Sequence, residues 1–133
     1  MSEDNLTQIS ILVVENESPV GDLIETVLGV VDTRQIYKAT NSAHGHVLFQ
    51  AIGHDLIIID VDIKSSGAIE FVKAIRDPNS AFSKKDVPVI MMASYAADDI
   101  LEQARAIGID DLLVKPFAFD DLIKCIGHVM KRI

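Results

Sequence analysis

Asp55-Leu-Ile-Ile-Ile-Asp60 sets four consecutive apolar residues, three of them β-branched, between two acids. A strand with one wet face alternates apolar and polar side chains, whereas a strand covered on both faces does not. This run does not alternate. Two others share the pattern, Ile9-Ser-Ile-Leu-Val-Val14 and Val87-Pro-Val-Ile-Met-Met92. Weaker strand signals stand at Gln35–Ala39 and Leu112–Val114. Three nearly continuous apolar strands in one short chain point to a parallel sheet with helices on both faces.

The segments between these runs carry helical spacing. Ser18-Pro19 reads as an N-cap with proline at the first helical position. Val20, Leu23, Ile24, Val27, Leu28 and Val31 then recur three and four apart. Ser42–Ala51 forms a second helix with its stop at Gly53, and Ala68–Arg76 a third that ends before Asp77-Pro78. A fourth spans Ala97–Ile107 and stops at Gly108. A fifth begins near Ala118, with Leu122, Ile123, Ile126 and Met130 facing inward. Strict alternation of strand and helix predicts an α/β fold with a parallel sheet.

Composition bounds the rest. The chain has 133 residues, 49% of them hydrophobic and 24% charged, with a mean hydropathy of +0.28. That excludes disordered and fibrous classes and predicts one domain over residues 1–133, with its core at about 8–132. Twelve Lys and Arg against 20 Asp and Glu leave a net charge of −8. Nucleic acid and anionic membranes are therefore not expected partners, because phosphate surfaces select basic patches. The longest apolar run, Val87 to Ala93, falls far short of the roughly 20 residues that a membrane span needs. Met-Ser-Glu-Asp-Asn lacks the basic start of a secretory signal. The single cysteine, Cys125, forms no internal disulfide framework and fits a reducing compartment, so a cytoplasmic location is expected.

Function in such sheets gathers beyond the C-terminal strand ends. Glu15, Asn16 and Glu17 follow the first strand. Asp60 ends the third, with Asp62 two residues on. Ala93-Ser94 ends the fourth, and Lys115-Pro116 follows the fifth. Crowded carboxylates invite a proton or a hard divalent cation such as Mg²⁺, which also seeks phosphate oxygens. A lysine on the same rim supplies a point charge for a phosphoryl group. Acids and lysine together suit phosphoryl transfer to a carboxylate.

Ile11-Leu-Val-Val-Glu-Asn16, Asp55–Asp60, Pro88-Val-Ile-Met-Met-Ala-Ser94 and Asp110-Asp-Leu-Leu-Val-Lys-Pro-Phe117 resemble the receiver domains of two-component response regulators. The resemblance spans residues 8–132. It implies the doubly wound, flavodoxin-like (CheY-like) fold of five strands in the order 2-1-3-4-5. It also implies that Asp60 is the phosphoacceptor for a histidine kinase or histidine phosphotransfer protein. Lys115 is then the phosphoryl contact, and Pro116 a proline preceded by a cis bond. Glu15, Asn16, Asp60 and the backbone carbonyl of Asp62 are the implied Mg²⁺ ligands. Output is implied through contacts of a downstream protein with the fourth helix, fifth strand and fifth helix, residues 98–133. Homodimerisation is left open, and no enzymatic activity is expected beyond self-phosphorylation and slow hydrolysis.

Three positions depart from the family pattern. Asn16 replaces a second acid, so one formal charge is missing and Mg²⁺ binding is expected to weaken. Ala93 takes the place of the usual Thr or Ser. Ser94 follows it, but neighbours on a strand point to opposite faces. Leu112 stands where many receivers carry a switching aromatic. Two readings remain open: a phosphorylated receiver whose missing charge Glu17 or Asp62 restores, and a degenerate receiver acting through protein contacts alone. Asp60-Val-Asp62, Ser94 and Lys115 also resemble haloacid-dehalogenase-type phosphatases, although Lys64 departs from that pattern and no cap domain is evident. Tyr95 lies at the mouth of the expected site, where it would cover the acyl phosphate. His44, His46 and His54 read as surface residues, and 77–86 as a solvated polar loop. Cys125 reads as a buried or half-buried thiol, and Gly67 as a turn residue before the third helix.

Overall fold

The computed structural model describes residues 9–15, 26, 35–61, 67–94 and 98–130. Five strands form within them: β1 (Ser10–Val14), β2 (Gln35–Ala39), β3 (Leu56–Asp60), β4 (Val89–Ala93) and β5 (Asp111–Val114). All neighbouring pairs are parallel, in the order β2-β1-β3-β4-β5. The expected fold class and strand order are those observed. The chain runs outward from β1 to β2, then returns to β3 on the other side, so the order reverses between β1 and β3. A crevice opens at such a point, beyond the strand ends.

Four helices are described: α1 (Ser42–Ile52), α2 (Ala68–Arg76), α3 (Asp98–Ala106) and α4 (Phe119–Met130). The helix expected over Pro19–Val31 lies outside the described residues, apart from Thr26. α1 starts where the Asn41 side chain accepts from the His44 backbone N–H at 2.8 Å. It stops at Gly53, whose φ of 71° is open to glycine at little steric cost.

The period-2 alternation of the strands sorts the core onto two faces. Leu12, Val14, Ile57, Ile59, Val89 and Met91 meet α1, α2 and α3 through Phe49, Phe71, Val72, Ile75 and Ala104. Ile11, Val13, Leu56, Ile58, Ile90 and Met92 meet α4 through Leu122, Ile126 and Val129. β3 and β4 are buried along their whole length, which is why their sequences do not alternate. β2, at the sheet edge, is half exposed, and its sequence is mixed accordingly.

Two expectations need correction. His44 and His46 are exposed, but His54 is fully buried. The left-handed turn at Gly53 reverses the chain, and Asp55 is fastened to the Ser10 backbone N–H at 2.9 Å. His54 between them lies against the rings of Tyr37 (4.7 Å, edge-on) and Phe49 (6.1 Å, stacked). The segment 77–86 is not merely solvated either. Phe82 is buried in it, packed on Phe49, Phe71 and His46, because its ring completes an aromatic cluster between α1 and α2.

Candidate functional site

Asp60 closes β3 and has no solvent exposure. It stands level with Met92 of β4, and the next residue, Val61, donates its backbone N–H to the Met92 carbonyl at 2.9 Å. The end of β4 also holds the other side of the site. The Ala93 carbonyl accepts the Lys115 backbone N–H at 2.7 Å, so the parallel ladder continues one residue past β5. From there the Lys115 side chain reaches across β4. Its Nζ donates to Asp60 Oδ2 at 2.7 Å, and the lysine side chain is only 11% exposed. The Lys115–Pro116 peptide bond is cis.

Glu15 follows β1 and is buried, its backbone N–H donating to the Ala39 carbonyl at 2.8 Å. Val14 pairs with Ile59, so Glu15 and Asp60 sit at the same level on adjacent strands, with backbones about 5 Å apart. Strand alternation gives them a common side. Glu15 continues the parity of Ile11 and Val13, Asp60 that of Leu56 and Ile58, and Lys115 that of Leu113. Three residues far apart in sequence are thereby brought to one rim.

The remaining expected site residues divide. Ala93 is buried and ends β4, so its methyl group occupies the position without a hydroxyl. Ser94 is exposed just beyond the strand. Leu112 is partly buried against the α1–α3 core and not in the rim. Asn16, Glu17, Asp62 and Tyr95 lie outside the described residues. Sequence reasoning weighs Ala93 only for its missing side chain. It misses the carbonyl that fixes Lys115, a contact legible from strand spacing once β4 and β5 are taken as parallel.

Among the described residues no group of three His, Cys, Asp or Glu side chains forms a metal centre. Two carboxylates at one rim are nonetheless a hard-oxygen donor set that suits Mg²⁺ when waters and neutral oxygens complete the shell. The site is anionic in its donors and cationic at one point. Shutting a carboxylate off from water carries a desolvation cost, and the short bond from Lys115 offsets that cost.

Residues 11–127 match the family model described as the response regulator receiver domain. The chain is 25% identical over 123 residues to the phosphate regulon transcriptional regulatory protein PhoB of Pseudomonas aeruginosa, covering 92% of this chain and 52% of that protein. It is 27% identical over 127 residues to the transcriptional regulatory protein CusR of Escherichia coli, covering 93% and 52%. It thus spans about half the length of these relatives. Among solved structures, the chemotaxis response regulator CheY4 of Vibrio cholerae superposes with a TM-score of 0.81 at 25% identity, covering 92% of this chain and 99% of that one. The receiver domain of sensor histidine kinase PA1611 from Pseudomonas aeruginosa, which holds a magnesium ion in its active-site cleft, gives a TM-score of 0.80 at 20% identity, covering 93% and 98%. The chain belongs to the response regulator receiver domain family.

Proposed function

We propose that this receiver accepts a phosphoryl group on Asp60 from a phosphohistidine of a histidine kinase or histidine phosphotransfer protein. The observation that carries the reading is the buried Asp60 carboxylate held 2.7 Å from Lys115 Nζ at the open end of the sheet. A carboxylate oxygen attacks phosphorus, the P–N bond to the donor histidine breaks, and an acyl phosphate forms. Burial strips water from the nucleophile before attack, and Lys115 then balances charge on a phosphoryl oxygen. Glu15, Asp60, the Asn16 amide oxygen and the Asp62 carbonyl are the residues that would hold Mg²⁺. When bound, the ion supplies positive charge to the transferring phosphoryl oxygens. With an amide at position 16, affinity for that cation is reduced.

Signalling then proceeds by protein contacts and not by turnover. Phosphorylation biases a two-state equilibrium of the face formed by α3, β5 and α4. A groove of about 490 Å³ runs along that face between β5 and α4, beside Leu112, Phe117 and Lys124. The acidic chain makes no nucleic-acid contact of its own and works in the cytoplasm as one receiver over residues 1–133. Among the described residues no helix is long and apolar enough to cross a membrane.

The buried methyl of Ala93 favours a second reading, a receiver that binds its target without phosphorylation. Acetyl phosphate with Mg²⁺ separates the two. Wild type should gain one phosphoryl mass and Asp60→Asn none; an unmodified wild type leaves the second reading standing. Asn16→Asp should tighten Mg²⁺ binding measured by titration, and unchanged affinity would remove Asn16 from the ligand set.

A further inference from the structure

Both ring nitrogens of His54 are buried without a hydrogen-bond partner, although a neutral imidazole carries one donor and one acceptor. An imidazolium carries two donors, so a second proton deepens the mismatch. Gly53 and Asp55 flank the ring in the chain. Their acceptors, the Gly53 carbonyl and Asp55 Oδ1, are both taken by Lys84 Nζ, at 2.7 and 3.0 Å. Lys84 arrives from segment 77–86, a strap without helix or strand that leads from α2 toward β4. Two further attachments hold the strap. Arg76 Nη1 donates to the Lys85 carbonyl at 2.7 Å, and the buried Phe82 ring lies 5.2 Å from that of Phe49. Phe49 is also stacked on His54.

Of the surroundings of His54, the strap yields most readily. Tyr37 and Phe49 belong to a strand and a helix, whose backbone bonds break in concert. The Lys84–Asp55 pair is open to solvent, and ion pairs of that kind contribute little. A proton on His54 sets a second cation beside Lys84, in competition for the same carbonyl and carboxylate. The other titratable groups nearby do not oppose this. The Tyr37 hydroxyl donates to Gln35 at 2.8 Å, and α1 contains no Asp, Glu, Lys or Arg. His46 of α1 packs on Phe82 at 4.7 Å from its exposed position. We propose that His54 is a proton-operated latch on the 77–86 strap: when it is protonated, Lys84 leaves Gly53 and Asp55, the strap unfolds locally while the sheet stays formed, and Phe82 is bared.

Hydrogen exchange of the full chain, read by NMR at the Ser80 and Val87 amides and corrected for the intrinsic effect of pH, tests it. These amides are bonded to the Asp77 and Lys84 carbonyls at 3.0 and 3.2 Å. Local opening that takes up a proton at His54 should lower their protection about twentyfold from pH 7 to pH 5. Their protection should stay below that of Ile57–Ile59 at both pH values. His54→Leu should abolish the fall, and His46→Gln should preserve it. Lys84→Met removes the clamp and should lower strap protection already at pH 7. Melting at pH 7 verifies that each variant folds, and the comparison of strap with β3 is made within the wild type alone. Strap protection unchanged between pH 7 and pH 5 overturns the proposal. So does protection equal to that of Ile57–Ile59, which makes the opening global, a fall that survives in folded His54→Leu or vanishes in His46→Gln, or a Lys84→Met strap as protected as wild type.

Discussion

The ammonium of Lys115 lies 2.7 Å from a carboxylate that solvent does not reach. Such a pair is weak evidence for stability as a pair, yet each partner depends on the other. Lys115→Met removes the cation that lies against the buried Asp60 carboxylate. Urea unfolding at pH 7 should register a loss of about 3–5 kcal/mol. The double variant Asp60→Asn/Lys115→Met removes both charges of this pair and should recover most of that loss. Equal losses in the single and double variants would refute the account. The same residue also joins two functions in one side chain and its backbone. Its backbone N–H extends the β4–β5 ladder while its Nζ holds Asp60, so a change that shifts the strand end also shifts the ammonium.

At the scale of elements, α2 is tied down by its last residue. Arg76 donates to the Lys85 carbonyl at 2.7 Å and, through Nη2 and Nε, to the Gly108 carbonyl at 2.9 and 3.2 Å. It also pairs with Asp110 at 3.5 Å, whose Oδ1 accepts the Val89 backbone N–H at 2.9 Å. One guanidinium thus joins the end of α2, the loop before β4 and the turn before β5. Arg76→Met keeps the apolar stem but leaves two carbonyls short of a donor. A destabilisation of about 2–3 kcal/mol is expected in chemical denaturation. Arg76→Lys should restore little of it, since one ammonium cannot reproduce a planar fork of donors. This network is not readable from sequence, because the shortest of its bonds go to backbone carbonyls. The helix itself is readable: Gly67 before it and Asp77-Pro78 after it bracket Ala68–Arg76, and the observed bounds coincide with the expected ones. Strands β3 and β4 are legible by length and apolarity alone. His54 and Phe82 are not, because polar neighbours mask a residue whose burial is decided by distant rings. At the site, Asp60 and Lys115 are legible from motif and order, while the 2.7 Å contact depends on a register that only the folded sheet defines.

For the whole molecule, the two ends of the sheet differ in electrostatic character. The C-terminal rim buries a charged pair, and the opposite rim buries a neutral imidazole. Burial, with some opposition from the Asp55 carboxylate and a further push from Lys84, lowers the His54 pKa from 6.5 to about 4. Between these values only the unfolded chain takes up the proton. Stability is therefore full above pH 6.5 and falls as pH drops toward 4, by about 2 kcal/mol from pH 7 to pH 5. His54→Leu should unfold with a flatter pH dependence over that interval, measured as the change in urea midpoint. A slope identical to wild type would mean that His54 is not the titrating group.

The position of β3 has a kinetic meaning as well. It lies between β1 and β4, is sealed on both faces, and carries Asp60 at its end. Amide hydrogens in such a strand exchange with solvent only through the largest openings, whereas edge strands fray in small ones. Deuterium uptake should therefore be slowest at Ile57–Asp60 and faster along β2. The Asp60 carboxylate is attached to the part of the chain that opens least often, so its surroundings can breathe without that carboxylate losing its place.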